Sequence, residues 1–219
     1  MAYWWMQALA SVQLKKNIKR LGIGLDIIRA VFITHDHADH IKAVGHLGEK
    51  FGIPVYSTPE VHAGINKSYC MTEKLSTCVH YLHKGETMEL EDFAITAFEV
   101  PHDGTDNVGY CITAGDKTFS FLTDIGHITP TASRFIQQAD YLILEANYDD
   151  SMLQMGPYPQ HLKERIAGPN GHMSNHEMAD YLSHHSPASE AFMALPPEQG
   201  QQPSGAGFQD SGTGIPAGK

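Results

Sequence analysis

The stretch FITHDHADHIKAVG, residues 32–45, places His35, His37, Asp39 and His40 within six positions. It overlaps the short run AVFIT (30–34), whose β-branched and aromatic residues predict a buried strand. In an extended segment residues two apart point the same way, so His35 and His37 share a face. Asp39 and His40 follow where the chain turns into a helix, and can address a second point nearby. Imidazole with carboxylate is a donor set suited to zinc, with manganese or iron as alternatives. Incidental histidines at a polar helix start are the bland explanation. Four ligand-type residues in this order after a buried strand argue against it.

The same rhythm, an apolar run closing on a polar loop, recurs along the chain. FAITAFEV (93–100) alternates with period two and leads into PHDG, which carries His102. NVGYCITAGDKTFSFLTD (107–124) reads as two strands around Ala114-Gly115-Asp116 and ends on Asp124. PVYS (54–57) and YLILEAN (141–147) predict two more strands, the second closing on Glu145. Helices are expected over 14–21, 41–52, 59–67 and 130–138. Another is expected over 174–185, where Ser174 and Glu177 stand at capping-box spacing. Strands interleaved with helices, without an internal repeat, predict a mixed α/β (α+β) layered domain.

With 219 residues, 42% of them hydrophobic, the chain can bury the core of one domain. No apolar run approaches a membrane span and no export signal is evident, so a soluble, cytoplasmic protein is expected. Cys70, Cys78 and Cys111 lie in no metal-binding spacing and read as ordinary thiols of a reducing compartment. Lys plus Arg total 15 against 25 Asp plus Glu, a net charge of −10. Such a chain does not draw in nucleic acid by its overall field. A phosphate substrate would need local neutralisation, most simply by bound metal.

THDHADH resembles the HxHxDH signature of the metallo-β-lactamase fold superfamily. His102 in EVPHDG and Asp124 in FLTDIG match its later ligands in order and in strand-end context. PHDGTDNVGY, TDIGH, LEANYDDSML and GHMSN are similar to the bacterial YycJ/WalJ subgroup, over about residues 14–186. The resemblance implies a four-layer αββα sandwich with two divalent metal ions at its edge, zinc first among the candidates. By the same resemblance His35, His37 and His102 hold one ion, Asp39 and His40 the other, and Asp124 bridges both. It further implies a 5′-to-3′ DNA exonuclease in which the metals, about 3.5–4 Å apart, share a hydroxide. His172 would assist the departing oxygen and Glu145 would stand behind the ligands, so His172, Asp39 and Glu145 are the catalytic candidates. An RNA-processing nuclease, a small-molecule phosphodiesterase and a metal-binding remnant without turnover are the rival readings. The Asp39–His40 pair and GHMSN disfavour β-lactam hydrolysis.

Two strings of that fold are missing: an opening strand ending Leu-Val-Asp-Ala-Gly, and a closing strand ending Cys-His-Leu-Ser. The codons of Tyr3 through Ala8, read from the third base of Tyr3, encode Leu-Val-Asp-Ala followed by Gly or Ser. A one-base shift from Glu190 onward permits a segment ending Cys-His-Leu. Residues 1–13 are therefore expected to be an out-of-frame N-terminus, and 187–219 an out-of-frame, disordered tail. The 14–186 domain would then lack its first β-hairpin and last strand, leaving the second metal site incomplete.

Overall fold

The computed structural model describes residues 20, 22, 24–185 and 191–195. The segments 1–13, 187–190 and 196–219, and all but Arg20 of the helix expected over 14–21, lie outside the described residues. Two sheets form. The first is parallel and three-stranded: β1 (Val31–Phe32), β2 (Val55–Ser57) and β3 (Val79–Tyr81). The second runs in chain order through β4 (Thr87–Leu90), β5 (Phe93–Glu99), β6 (Val108–Ala114), β7 (Lys117–Leu122), β8 (Tyr141–Glu145) and β9 (Ala191–Leu195). It is antiparallel as far as β7, while β8 and β9 join in parallel.

Among the described residues these sheets are flanked by the α-helices α1 (Ala38–Ile41), α2 (Pro59–Lys67), α3 (Pro130–Gln137), α4 (Asp150–Met155), α5 (Gln160–Ile166) and α6 (Asn175–His184). Sequence places Thr58 and Thr129 before Pro59 and Pro130, and each threonine side chain accepts from the backbone N–H three residues on. Ser174 and Glu177 close the expected capping box at the start of α6.

Strand alternation sorts the core into three clusters, and the clusters define the layers. Val31 and Val55 turn outward onto Ile41, Leu47, Val61 and Ile65. Phe32 and Tyr56 turn inward to meet Ile95, Ala97, Val108 and Tyr110 of the second sheet. The far face of that sheet, with Phe98, Leu122, Leu142 and Leu144, packs on Ala132, Phe135 and Ile136 of α3. The order is helix, sheet, sheet, helix, as the resemblance implied. The Tyr110 hydroxyl, buried between the sheets, donates to Ile33 O at 2.7 Å and holds the β1 end, where the histidine cluster begins, against β6.

Two segments differ from the expectation. The single helix over 41–52 is broken: α1 ends at Ile41, and a π-helical turn covers His46–Lys50. The segment 73–78 presses against this stretch so closely that a Cβ on Gly45 would lie 2.0 Å from Glu73 O. The turn also aims Glu49 at that segment, where its carboxylate accepts from the backbone N–H groups of Ser76 and Thr77 and from both their hydroxyls.

The tail reading of 187–219 is corrected at residues 191–195. There the apolar AFMAL run forms β9, with Glu145 of β8 in register with Leu195, so the sheet has a strand where the sequence reading had none. Hydrogen bonds from Ala191 N to Asp140 O and from Ala146 N to Leu195 O fix it at both ends. Phe192 and Met193 stay exposed, so backbone pairing, which composition does not report, holds this strand. Among the described residues β1 has no neighbour on its outer side. No helix among them is long and apolar enough to cross a membrane.

Glu49 makes stability pH-dependent. Its backbone hydrogen bonds from Ser76 and Thr77 lower its pKa from 4.5 to about 2. A folded-state pKa below the unfolded one gives stability that is whole above the unfolded value and lost as pH falls through the folded one. Native Glu49 is therefore expected to steepen acid unfolding between pH 4.5 and about 2. Chemical denaturation of Glu49→Gln across that range should show a flatter profile than the native chain.

Candidate metal centre

The loops at the C-terminal ends of β1, β5, β7 and β8 converge at one edge of the sandwich. Thr34–His37 continue β1, and His37, in extended conformation, is the residue before α1. His102 follows β5, Asp124 follows β7 and Glu145 ends β8. His172 arrives on the loop before α6. That loop is held close by Gly171, where a Cβ would meet the carbonyl oxygens of Arg165 and Ile166 at 2.2 Å.

Five imidazoles gather here, with ring centroids 4.1 Å apart for His35–His40, 4.5 Å for His35–His37, 4.8 Å for His35–His102 and 4.9 Å for His102–His172. Donor atoms fall into three compact groups, each within 4.8 Å: His35, His37 and His102; His35, His40 and Asp124; and His102, Asp124 and His172. Asp124 belongs to two of them, the placement that a bridging carboxylate needs.

Hydrogen bonding fixes which nitrogens face inward. Gly171 O can only accept, so His102 donates from Nδ1 at 2.8 Å and keeps a bare Nε2. His35 uses Nδ1 toward the Thr34 hydroxyl at 3.0 Å, which leaves its Nε2 buried with no hydrogen-bond partner. His40 Nε2 and Asp124 Oδ2, 3.4 Å apart, are likewise buried without hydrogen bonds. Buried polar atoms of this kind are costly unless something satisfies them. A divalent cation suits three unpartnered ring nitrogens and carboxylate oxygens gathered here, so the residues present fit the metal that the fold implies.

The electrostatics agree. Burial, reinforced by the neighbouring imidazoles, holds His35 well below the usual histidine pKa. Burial also lowers that of His102, although the Asp124 carboxylate pulls the other way. Neutral imidazole is the form that ligates metal.

Behind the donors lies a buried carboxylate. Glu145 is 2% exposed, so it is not the solvated end of its strand. Its Oε2 accepts from the backbone N–H of Ile125 at 2.9 Å and of Met173 at 3.3 Å; its Oε1 accepts from Asn147 Nδ2 at 3.0 Å and from His172 Nδ1 at 2.7 Å. One side chain thereby positions the residue after Asp124, the residue after His172, and His172 itself. Burial raises the Glu145 pKa, against the hydrogen bond from His172. Burial opposes charge on His172 as well, but the Glu145 bond prevails and raises its pKa above the usual value.

Residues 5–193 match the family described as Beta-lactamase superfamily domain. The chain belongs to that family. This β-lactamase-superfamily chain is 34% identical over 153 residues to the exodeoxyribonuclease WalJ of Streptococcus pneumoniae, covering 70% of this chain and 57% of that one. It is 27% identical over 162 residues to the exodeoxyribonuclease YycJ of Bacillus anthracis, covering 74% and 60%. It thus spans less than two thirds of these relatives' length. Among solved structures, the metallo-β-lactamase fold protein YhfI of Bacillus subtilis superposes with a TM-score of 0.64 at 20% identity, covering 90% of this chain and 76% of that one.

Of the residues expected at the site, His35, His37, His40, His102, Asp124 and His172 come together in the donor groups, and Glu145 supports them. Asp39 stands apart: its Oδ2 is 3.7 Å from His40 Nε2, its side chain is more exposed than those of its neighbours, and it joins none of the three groups. His184 is exposed on α6, with its ring bonded to Asp180 O, and joins none of the groups. Sequence reasoning missed Asp103 and Arg165. Asp103 carries a weak signal, being next to His102. Arg165 carries none.

Proposed function

We propose that this chain is a metal-dependent phosphodiester hydrolase that acts on nucleic acid in the cytoplasm, as a 5′-to-3′ exonuclease preferring DNA to RNA. The observation that carries this reading is the junction at Asp124 of two donor groups with the Glu145–His172 pair. The names of the WalJ and YycJ relatives support the nucleic-acid substrate. Divalent cations in such a site supply Lewis acidity, lowering the pKa of water and offsetting phosphate charge. That chemistry suits a chain whose net charge of −10 repels the substrate.

The protein's own groups do the rest. His35, His37 and His102 direct ring nitrogens at one point, while His40 and Asp124 supply a second. His172, with Nδ1 held by Glu145, keeps its ring set beside Asp124 at 3.8 Å and donates a proton to the departing oxygen. Metal-dependent cleavage of a 5′-labelled DNA duplex, run beside an RNA strand and a chromogenic phosphodiester, tests the reading. Mononucleotide release from the 5′ end of the DNA is expected. Faster turnover of RNA or of the small diester would overturn the DNA assignment, and no turnover of any substrate would favour the metal-binding remnant.

The frame reading of 1–13 and 187–219 stands as a proposal that rests on the codons of Tyr3 through Ala8 and, at the far end, on the one-base shift from Glu190. Resequencing the locus tests it: an intact stretch in which no frame restores Leu-Val-Asp-Ala-Gly and Cys-His-Leu-Ser would end it.

A further inference from the structure

His37 differs from its partners in how it is held. His35 is fixed by its neighbour Thr34, and His102 by a backbone carbonyl. His37 is the partly exposed member of its donor group, and its ring has two polar neighbours. Nδ1 lies 3.3 Å from His102 Nε2, and Nε2 lies 3.2 Å from Asp103 Oδ1. Asp103 is in turn gripped by a guanidinium 62 residues away: Arg165 Nε donates to Oδ2 at 2.5 Å and Nη2 to Oδ1 at 3.1 Å. A carboxylate so paired is an acceptor, and it draws the His37 proton to Nε2. His37 Nδ1 and His102 Nε2 then face each other as bare lone pairs at 3.3 Å. Two lone pairs at that distance repel, and a cation between them resolves the conflict.

We propose that Asp103, clamped by Arg165, is a positioning residue that fixes the ring and tautomer of His37 so that Nδ1 meets the metal. The inference rests on the reading of His35, His37 and His102 as ligands. It gives the α5 segment a purpose: its docking through Arg165 sets the affinity of a site to which it contributes no ligand. It also predicts a specific effect of an isosteric change. In Asp103→Asn the amide oxygen takes the Oδ2 place and keeps the Arg165 Nε bond, while the NH2 group takes the Oδ1 place, gives up the Nη2 bond and faces His37. His37 Nε2 must then accept, and the proton moves to Nδ1, where it blocks the metal.

The test is the affinity for Zn²⁺ and Co²⁺, measured by competition with a chromogenic chelator. The Co²⁺ ligand-field spectrum reports geometry, and circular dichroism reports folding. Asp103→Asn and Asp103→Ala are each expected to weaken binding about 10- to 100-fold while keeping native circular dichroism. Arg165→Gln should weaken it in the same direction but less, and the Asp103→Ala/Arg165→Gln double variant no more than Asp103→Ala alone. His37→Ala separates the two readings. If it leaves affinity unchanged, the ligand assignment itself fails. If it weakens binding while both Asp103 variants bind as the native chain does, only the positioning role fails. Additive losses from Asp103→Ala and Arg165→Gln would overturn the clamp.

Discussion

Replacing Asp124 by alanine is expected to abolish metal-dependent cleavage and to cut retained metal. Asp124 is the one carboxylate shared by two donor groups, and it lies 3.4 Å from His40 Nε2 and 3.8 Å from His172 Nδ1. Its removal leaves His40 Nε2 with only the more distant and more exposed Asp39 carboxylate, and separates the His35 side of the site from the His172 side. Charge stabilisation by a bound cation is worth several kcal/mol, and each 1.36 kcal/mol is a factor of ten, so the rate should fall roughly a thousandfold or more. Turnover measured together with metal content after dialysis against a weak chelator checks both halves. The native chain is expected to hold the ion of His35, His37 and His102 more tightly than a second one, and the variant to keep at most that first ion. An Asp124→Ala protein that retains full metal and cleaves within tenfold of the native rate would refute the bridging role. Asp124 is scarcely exposed and makes no hydrogen bond through Oδ2, so a folded variant is expected; circular dichroism verifies it.

The second large effect is expected at His172. His172→Ala should lower kcat by about 10²- to 10⁴-fold, the range for loss of a positioned proton donor, with metal content unchanged. The sign of the pH effect follows from the environment. The bond to Glu145 raises the pKa of His172 despite burial, so its protonated form persists to higher pH than that of an ordinary histidine. A general acid with a raised pKa sustains the rate up to that pKa, and the rate falls as pH climbs through it. The alkaline limb of the native pH–rate profile should therefore flatten in His172→Ala. Loss of one ion in the variant would instead make His172 a ligand, as its place beside His102 and Asp124 permits geometrically. Glu145→Gln should reproduce part of the effect: each Glu145 oxygen accepts two bonds, so an amide NH2 in place of either one loses two of the four.

The site is built so that one residue serves several elements at once. Glu145 ends β8, yet its carboxylate holds the backbone beside Asp124 on the β7 loop and beside His172 on the α6 loop. Gly171 gives its carbonyl to His102 and lets its loop lie against the carbonyls of Arg165 and Ile166. Asp103 joins His37 to α5. The geometry of the donors thus depends on the packing of the whole sheet edge, and mutations in α5 or in the 171–174 loop are expected to act on metal affinity before they act on the core.

Much of this was legible in residue order. His35, His37, Asp39 and His40 lie within six positions, so their convergence is a matter of local backbone geometry, and period-two alternation in 93–100 and 107–122 fixes strands whose ends carry His102 and Asp124. The helix caps at Thr58, Thr129 and Ser174 are equally local. What sequence could not decide depends on contacts between distant segments. The 41–52 helix is interrupted at residues 42–43, beside Gly45, where residues 73–78 pack too closely for any side chain. Backbone pairing with β8 made a strand of AFMAL, whose side chains stay largely exposed and so leave no burial pattern to read. Burial of Glu145 turned an apparent strand end into a fourfold hydrogen-bond acceptor. Only the fold could bring Arg165 to Asp103, because a salt bridge across 62 residues leaves no spacing in the chain. The amino-acid order alone determined which chemistry the protein carries. The tertiary structure decided which nitrogen of His102 is free to perform it, because the carbonyl that takes the other one comes from Gly171, far along the chain.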